Sequence, residues 1–169
     1  MKKRVYPQIA RKINTKMITI NASNLEEARS QIDKAYSKKE KIAVIGQNIS
    51  FNRKILENKK VSILISPENT LGKDKLKERD SGLNHILCDI AKKNNVSIAI
   101  DFSLILSKKD KARAEHLARI MQNIKMYKKS KNNLVLINKK GKSKQDLFSF
   151  LLTIGLPTDI AKSSCITAP

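Results

Sequence analysis

The sequence predicts an α/β fold, a shortened or incomplete TIM-like (β/α) barrel with parallel strands and outer helices. Three observations predict it. Five short apolar runs alternate with amphipathic segments along the chain. The runs are continuous rather than alternating, as in strands buried on both faces of a parallel sheet. The chain has 169 residues, whereas a full eight-stranded barrel takes about 250. No linker, repeat or low-complexity segment divides the chain, so residues 17–169 read as one domain.

Residues 1–16 carry six basic residues and no acid, and read as a basic arm or a degenerate first strand. Met17 to Ile20 is the first apolar run. Ser23-x-x-Glu26 has the form of a capping box, followed by Leu25, Ala28, Ile32 and Ala35 at helical spacing. Ile42 to Ile45 is the second run and ends at Gly46. Ser50 or Asn52 starts a short helix carrying Phe51, Ile55 and Leu56. Val61 to Ile65 is the third run, stopped by Ser66-Pro67, and residues 68–79 read as a polar loop. Asp80 or Ser81 caps the next helix, with Leu83, Ile86, Leu87, Ile90 and Ala91 along one face.

Val96 to Ile100 is the fourth run, and a short Leu104-Ile105-Leu106 segment follows it. Residues 109–129 form a long helix with Leu117, Ile120, Met121, Ile124 and Tyr127 on one face. Leu134 to Ile137 is the fifth run. Ser143 caps a helix through Leu147, Phe148, Leu151 and Leu152, which ends at Gly155, and Pro157 starts a final short helix.

In such a fold, ligand contacts gather at the C-terminal ends of the strands. Those ends are Asn21, Gly46-Gln47-Asn48, Ser66-Pro67-Glu68, Asp101-Phe102-Ser103 and Asn138-Lys139-Lys140. The formal charge is +20, from 35 Lys plus Arg against 15 Asp plus Glu. That excess points to a polyanion. Lysine outnumbers arginine 28 to seven, and Ile and Asn are abundant as well, so coding bias contributes. Bias of that kind also raises Glu, and the acids stay few. A membrane-surface role is the weaker reading, because no helix joins a basic face to an aromatic one. No apolar run approaches the roughly 18 residues of a membrane span. With no Trp, three Tyr and four Phe, the expected mode is phosphate and shape recognition rather than base stacking. Cys88 and Cys165 have no metal-binding spacing and read as free thiols of a reducing, cytoplasmic compartment.

Catalytic chemistry finds little support. Metal-dependent hydrolysis needs several histidines and carboxylates at the strand ends. The chain has two histidines, His85 and His116, both within expected helices, and the strand ends offer only Glu68 and Asp101 as acids, with no histidine expected beside them. Neither cysteine has a histidine base in its segment, and no glycine-rich phosphate loop is present. No catalytic residue, metal ligand or protein-bound cofactor is assigned.

Binding residues stand out more clearly. Lys139, Lys140, Lys142 and Lys144 join a turn to a helix start, a phosphate-friendly combination. Arg53 and Lys54 follow the Gly46 strand end and extend that surface. Arg113 falls in line with Leu117, Ile120 and Ile124, and is either paired near the barrel mouth or faces a phosphate. Arg119 and Lys125 lie off that stripe and are expected in solvent. Asp80-Ser81-Gly82, with His85, is either an ordinary helix start or an exposed one that docks a partner. Phe102 belongs to the same rim.

Several segments together resemble a known family. Asn52-Arg53-Lys54, then Val61 to Glu68, is similar to a block of the archaeal ribonuclease P protein component 3 family. Asp80-Ser81-Gly82-Leu83-Asn84-His85, then Asn94-Asn95-Val96 and Asp101-Phe102, resembles its next block. Arg113-Ala114, Val135-Leu136-Ile137, Asp146-Leu147 and Ile154-Gly155-Leu156-Pro157 fit its later motifs in order. The resemblance runs over about residues 17–165.

It implies a barrel related to the PHP metal-phosphoesterase superfamily. It also implies a non-catalytic subunit of the RNA enzyme that removes the 5′ leader from precursor tRNA. The implied partners are ribonuclease P RNA, protein component 2 and precursor tRNA, with Mg²⁺ held by the RNA. Ser66 stands where the family commonly has His, and Asp101 where it usually has Asn. The loop after the fifth run is shortened to Lys139–Gln145, and the family's first strand and helix are largely missing, which implies an open barrel. Two further readings stand beside this one: a metal-dependent PHP-like phosphoesterase, and a general basic RNA-binding protein.

Overall fold

The computed structural model describes residues 16–70, 74, 79–137 and 141–164. Most of the expected basic arm, together with Lys139, Lys140 and Cys165, lies outside the described residues. The elements are β1 (Met17–Ile20), α1 (Leu25–Ser37), β2 (Lys41–Ile45), α2 (Ile49–Glu57), β3 (Ile63–Ile65) and α3 (His85–Lys93). They continue with β4 (Ser97–Asp101), α4 (Phe102–Ser107), α5 (Asp110–Ser130), β5 (Leu134–Ile137), α6 (Lys144–Thr153) and α7 (Thr158–Ser164). The strands form one sheet in the order β1-β2-β3-β4-β5, every neighbouring pair parallel. Sequential parallel strands joined through helices are the pattern of a partial TIM-like barrel.

Strand parity explains why the apolar runs are continuous. Ile42 and Val44, Leu64, Ile98 and Ile100, and Leu134 and Leu136 are buried against the helices. The alternate residues Ala43, Ile65, Ala99 and Ile137 form a second buried cluster, with Met17, Ile63 and Val135 half-buried around it. Both faces therefore need apolar side chains, and no polar alternation survives. On the helix side, Ala28 and Ile32 of α1, Ile55 and Leu56 of α2, Leu87 and Ala91 of α3, and Ile120, Ile124 and Tyr127 of α5 complete the main core.

The expected helix starts shift by a few residues, for one physical reason. Asparagine side chains cap three helices, each accepting from the amide three residues on: Asn24 from Glu27, Asn48 from Phe51 and Asn84 from Leu87. The α1 capping box is displaced by one residue from Ser23/Glu26, so that the Ser23 amide and hydroxyl both donate to Glu27 Oε2 at 2.7 Å. Neither Asp80 nor Ser81 caps α3, because the loop beneath α5 consumes both. Leu83 is buried there outside any helix. The Leu104–Leu106 segment lies within α4. On α5 the buried face is His116, Ile120, Asn123, Ile124 and Tyr127, while Met121 is exposed.

Candidate functional site at the strand ends

The end of β3 is built around Pro67. Ser66 adopts a left-handed backbone, φ +46°. Its amide donates to Ala99 O at 2.7 Å, and its hydroxyl accepts from the Asp101 amide at 3.1 Å, which ties β3 to β4. Pro67 then passes between two glycines. A Cβ on Gly46 would lie 2.6 Å from Pro67 Cα, and one on Gly82, whose φ is +69°, would lie 1.9 Å from Pro67 O. Only glycine allows that approach at both places. Fully buried Asn52 closes the clasp: its Oδ1 accepts from the Gln47 amide at 2.7 Å, and its Nδ2 donates to Gln47 O and Gly82 O, both at 2.9 Å.

Beneath the clasp lies a polar cluster walled off from solvent. Glu68 is 1% exposed and His116 3%, with His116 Nε2 at 3.8 Å from Glu68 Oε1. No well-formed hydrogen bond reaches either Glu68 oxygen, His116 Nε2, Asn123 Oδ1 or the Tyr127 hydroxyl. Burial pushes the Glu68 carboxyl up to about 7, even though its own backbone amide and the Ser66 and Asn123 side chains favour the charged form. Burial pushes His116 down to about 4, helped by the Lys108 and Arg119 charges. Desolvation is the largest cause in both groups, so between about pH 4 and pH 7 the pair is a neutral acid beside a neutral imidazole rather than an ion pair. The Tyr127 hydroxyl is pushed well up by the same burial.

His116 beside Glu68 corrects the expectation that no histidine approaches the strand-end acids. The two are 48 positions apart, and α5 folding back over the β3 loop brings them together. The donor set nevertheless does not fit the multinuclear metal centre that the PHP relationship suggests. Among the described residues, no three His, Cys, Asp or Glu side chains come together to hold an ion. The Ser66 hydroxyl is taken up by the β4 backbone, through the Asp101 amide.

A second cluster fastens the loop above. Arg119 is 12% exposed and donates from Nε to Asp74 Oδ1 at 2.8 Å and from Nη1 to Thr70 O at 3.2 Å. This contradicts its expected place in solvent, because the turn of α5 that buries His116 and Asn123 also aims Arg119 at the loop. Asp74 Oδ1 also accepts from the Asp80 amide at 3.0 Å, and Oδ2 lies 3.3 Å from Arg79 Nη1. Burial raises the Asp74 carboxyl, but the Asp80 amide and the Arg119 guanidinium outweigh it and leave it below its ordinary value.

The residues singled out from sequence separate into two groups. Asp80 accepts from the Thr70 hydroxyl at 3.2 Å, and Ser81 is buried. Ser81 O accepts from Asn123 Nδ2 and its Oγ from Gln122 Nε2, both at 3.1 Å. With Gly82 in the clasp, these three are parts of the strand-end structure. Phe102 packs edge-on against Phe150, with centroids 4.9 Å apart. His85 is exposed at the first turn of α3.

The basic candidates lie outside this cluster. Arg113 keeps the spacing of the buried stripe of α5, three residues before His116 and seven before Ile120. It is exposed, and its guanidinium donates to Lys108 O and Leu106 O, holding the end of α4. Arg53 and Lys54 are exposed on α2 beside Glu57, at 2.9 and 3.5 Å. Lys142 and Lys144 are exposed at the start of α6. Sequence reading placed Tyr127 on the apolar face of α5, where it is buried, and missed Asn52 and Asn123 as buried polar groups. Both carry a signal of the same kind, a polar residue at helical spacing from apolar ones: Asn123 between Ile120 and Tyr127, and Asn52 before Ile55 and Leu56.

Comparison with known proteins agrees with this architecture. The model of the family described as RNase P subunit p30 matches residues 15–169. Ribonuclease P protein component 3 of Methanococcus maripaludis strain C6 is 31% identical over 145 residues, 83% of this chain and 60% of that protein. The component 3 protein of Methanothermobacter thermautotrophicus is 26% identical over 157 residues, 90% of this chain and 61% of that protein. A chain in the cryo-EM structure of archaeal ribonuclease P with mature tRNA superposes with a TM-score of 0.71 at 30% identity. That superposition covers 87% of this chain and 62% of the other. The chain thus spans about three fifths of the length of these relatives. A family model matched across nearly the whole chain and a shared parallel sheet show that the chain belongs to the RNase P subunit p30 family.

Proposed function

We propose that this chain acts as a non-catalytic protein subunit of ribonuclease P. In this reading it binds the enzyme's RNA and supports removal of the 5′ leader from precursor tRNA. The observation that carries the reading is family membership across residues 15–169. Two features support it. The charge of +20 suits a polyanionic partner, and the strand-end Glu68 is enclosed by its own fold rather than presented to a substrate. The protein's part is to neutralise phosphates and stabilise the RNA fold, while Mg²⁺ sits on the RNA. Protein component 2 is its protein partner, and the cytoplasm is where it works. Among the described residues no helix is long and apolar enough to cross a membrane. Lys142, Lys144, Arg53, Lys54 and Arg113 are RNA contacts in this reading, as are Lys139 and Lys140, which lie outside the described residues.

Competition binding tests the proposal. The full chain should bind transcribed ribonuclease P RNA at least tenfold more tightly than bulk tRNA at fixed salt. Equal affinity for the two would mark a general basic RNA binder, and hydrolysis of a small phosphoester without RNA would mark a phosphoesterase.

A further inference from the structure

Four helices, α1, α2, α3 and α5, each return the chain to the N-terminal end of the next strand. Because β2, β3, β4 and β5 are adjacent and parallel, the four helix-to-strand turns line one edge of the sheet. Neighbouring strands are about 4.8 Å apart, so four strand starts span about 15 Å. Every one of these turns carries a lysine pair. Lys38 and Lys39 follow α1, and Lys59 and Lys60 follow α2. Lys92 and Lys93 end α3, and Lys128 and Lys129, with Lys131 beyond, end α5. All nine are exposed. Of the acids nearby, Glu40 pairs with Lys16 at 3.7 Å and Glu57 with Arg53 at 2.9 Å, Asp33 pairs with Lys60 of the row itself at 2.7 Å, and Asp89 of α3 shares a groove with Lys129, which leaves the row in large cationic excess.

The helix dipole favours cations in the last helical turn. That accounts for Lys92, Lys93, Lys128 and Lys129. It does not account for Lys38, Lys39, Lys59, Lys60 and Lys131, which lie past the ends of their helices. Two of these stand where the backbone itself favours glycine: Lys39 has φ +57° and Lys131 φ +53°. At both turns a strained residue places an ammonium group on the same edge, at the expense of local stability.

We propose that the edge at the N-terminal ends of β2 to β5 is an RNA-docking surface that grips the phosphate backbone, opposite to the strand-end clasp. This rests on the RNA-binding reading and adds a second, broader contact to it. Lysine pairs at four consecutive turns present a row of charge with no reader of bases, which suits the phosphates of a folded RNA.

The test uses the double variant Lys39→Gly/Lys131→Gly in the full chain, with Lys111→Ala/Lys125→Ala on α5 as a control of equal charge. Binding to transcribed ribonuclease P RNA is measured from 50 to 200 mM salt, and Tm is recorded for each protein. Glycine suits both turns, so the double variant should keep or raise Tm. Its log K versus log salt slope should shrink by about 1 to 2, while the control keeps the wild-type slope. An unchanged slope in a folded double variant overturns the proposal, as does an equal loss in the control, which would report overall charge alone. Wild-type protein with no salt-dependent RNA binding overturns the RNA-binding reading itself, and the docking surface with it.

Discussion

Replacing Glu68 with Gln should change how stability depends on pH. In the unfolded chain Glu68 titrates near 4.5 and His116 near 6.5, whereas in the fold they titrate near 7 and near 4. For Glu68 the raised folded value means that its contribution is fully present below 4.5 and is lost as pH rises through about 7. For His116 the depressed folded value means that its contribution is present above 6.5 and is lost as pH falls through about 4. Between pH 4.5 and 6.5 the unfolded chain holds one proton on His116 and the folded chain holds one on Glu68. The proton count is equal, so the wild-type pair contributes no slope in that window.

Glu68→Gln removes one limb. Relative to wild type, the variant should gain stability with rising pH by about 1.4 kcal/mol per pH unit, or roughly 3 kcal/mol between pH 4.5 and 7. His116→Gln should show the mirror image, losing relative stability as pH rises from 4 to 6.5. The neighbouring groups Asp101, Lys108, Arg119 and Tyr127 remain in all three proteins and cancel in the differences. Urea unfolding at half-unit pH steps measures this directly. Parallel wild-type and Glu68→Gln curves would refute the neutral-pair assignment, and so would Glu68 acting as a permanently charged partner of His116.

Three further outcomes follow from the same geometry. Gly82→Ala should destabilise the fold by about 2–4 kcal/mol, read by urea or thermal melts, because its Cβ meets Pro67 O at 1.9 Å; a variant as stable as wild type would disprove the clasp. Asn52→Ala removes three buried hydrogen bonds and should cost about 2–3 kcal/mol in the same assay. Cys88 is buried, and burial pushes its thiol up to about 11, so at pH 8 it should react with a disulfide reagent only as fast as the protein unfolds.

The sheet was legible because both of its faces are apolar: Met17 to Ile20, Ile42 to Ile45 and Leu134 to Ile137 lie within observed strands. Helix starts were less legible, because Ser and Asn compete as caps and Asn won at Asn24, Asn48 and Asn84. The site was legible only in part. Gly82 announced a close backbone approach, but its neighbour Pro67 is 15 positions away. The pairings of Glu68 with His116 and of Asp74 with Arg119 span 48 and 45 positions. No local pattern encodes such contacts. Arg119 looked like surface charge because helical periodicity describes only its own helix and not the loop folded over it. The lysine pairs lie far apart in the sequence, and only the parallel order of the strands brings their turns to one edge.

The most direct test of the central claim is the identity of the RNA that the protein holds in its own cells. The tagged full chain is recovered at physiological salt, and the bound RNA is sequenced and normalised to abundance. Ribonuclease P RNA should be the most enriched species, with a second small ribonuclease P protein in the same fraction. Recovery of RNAs in proportion to their cellular abundance, with no enrichment of ribonuclease P RNA, would contradict it.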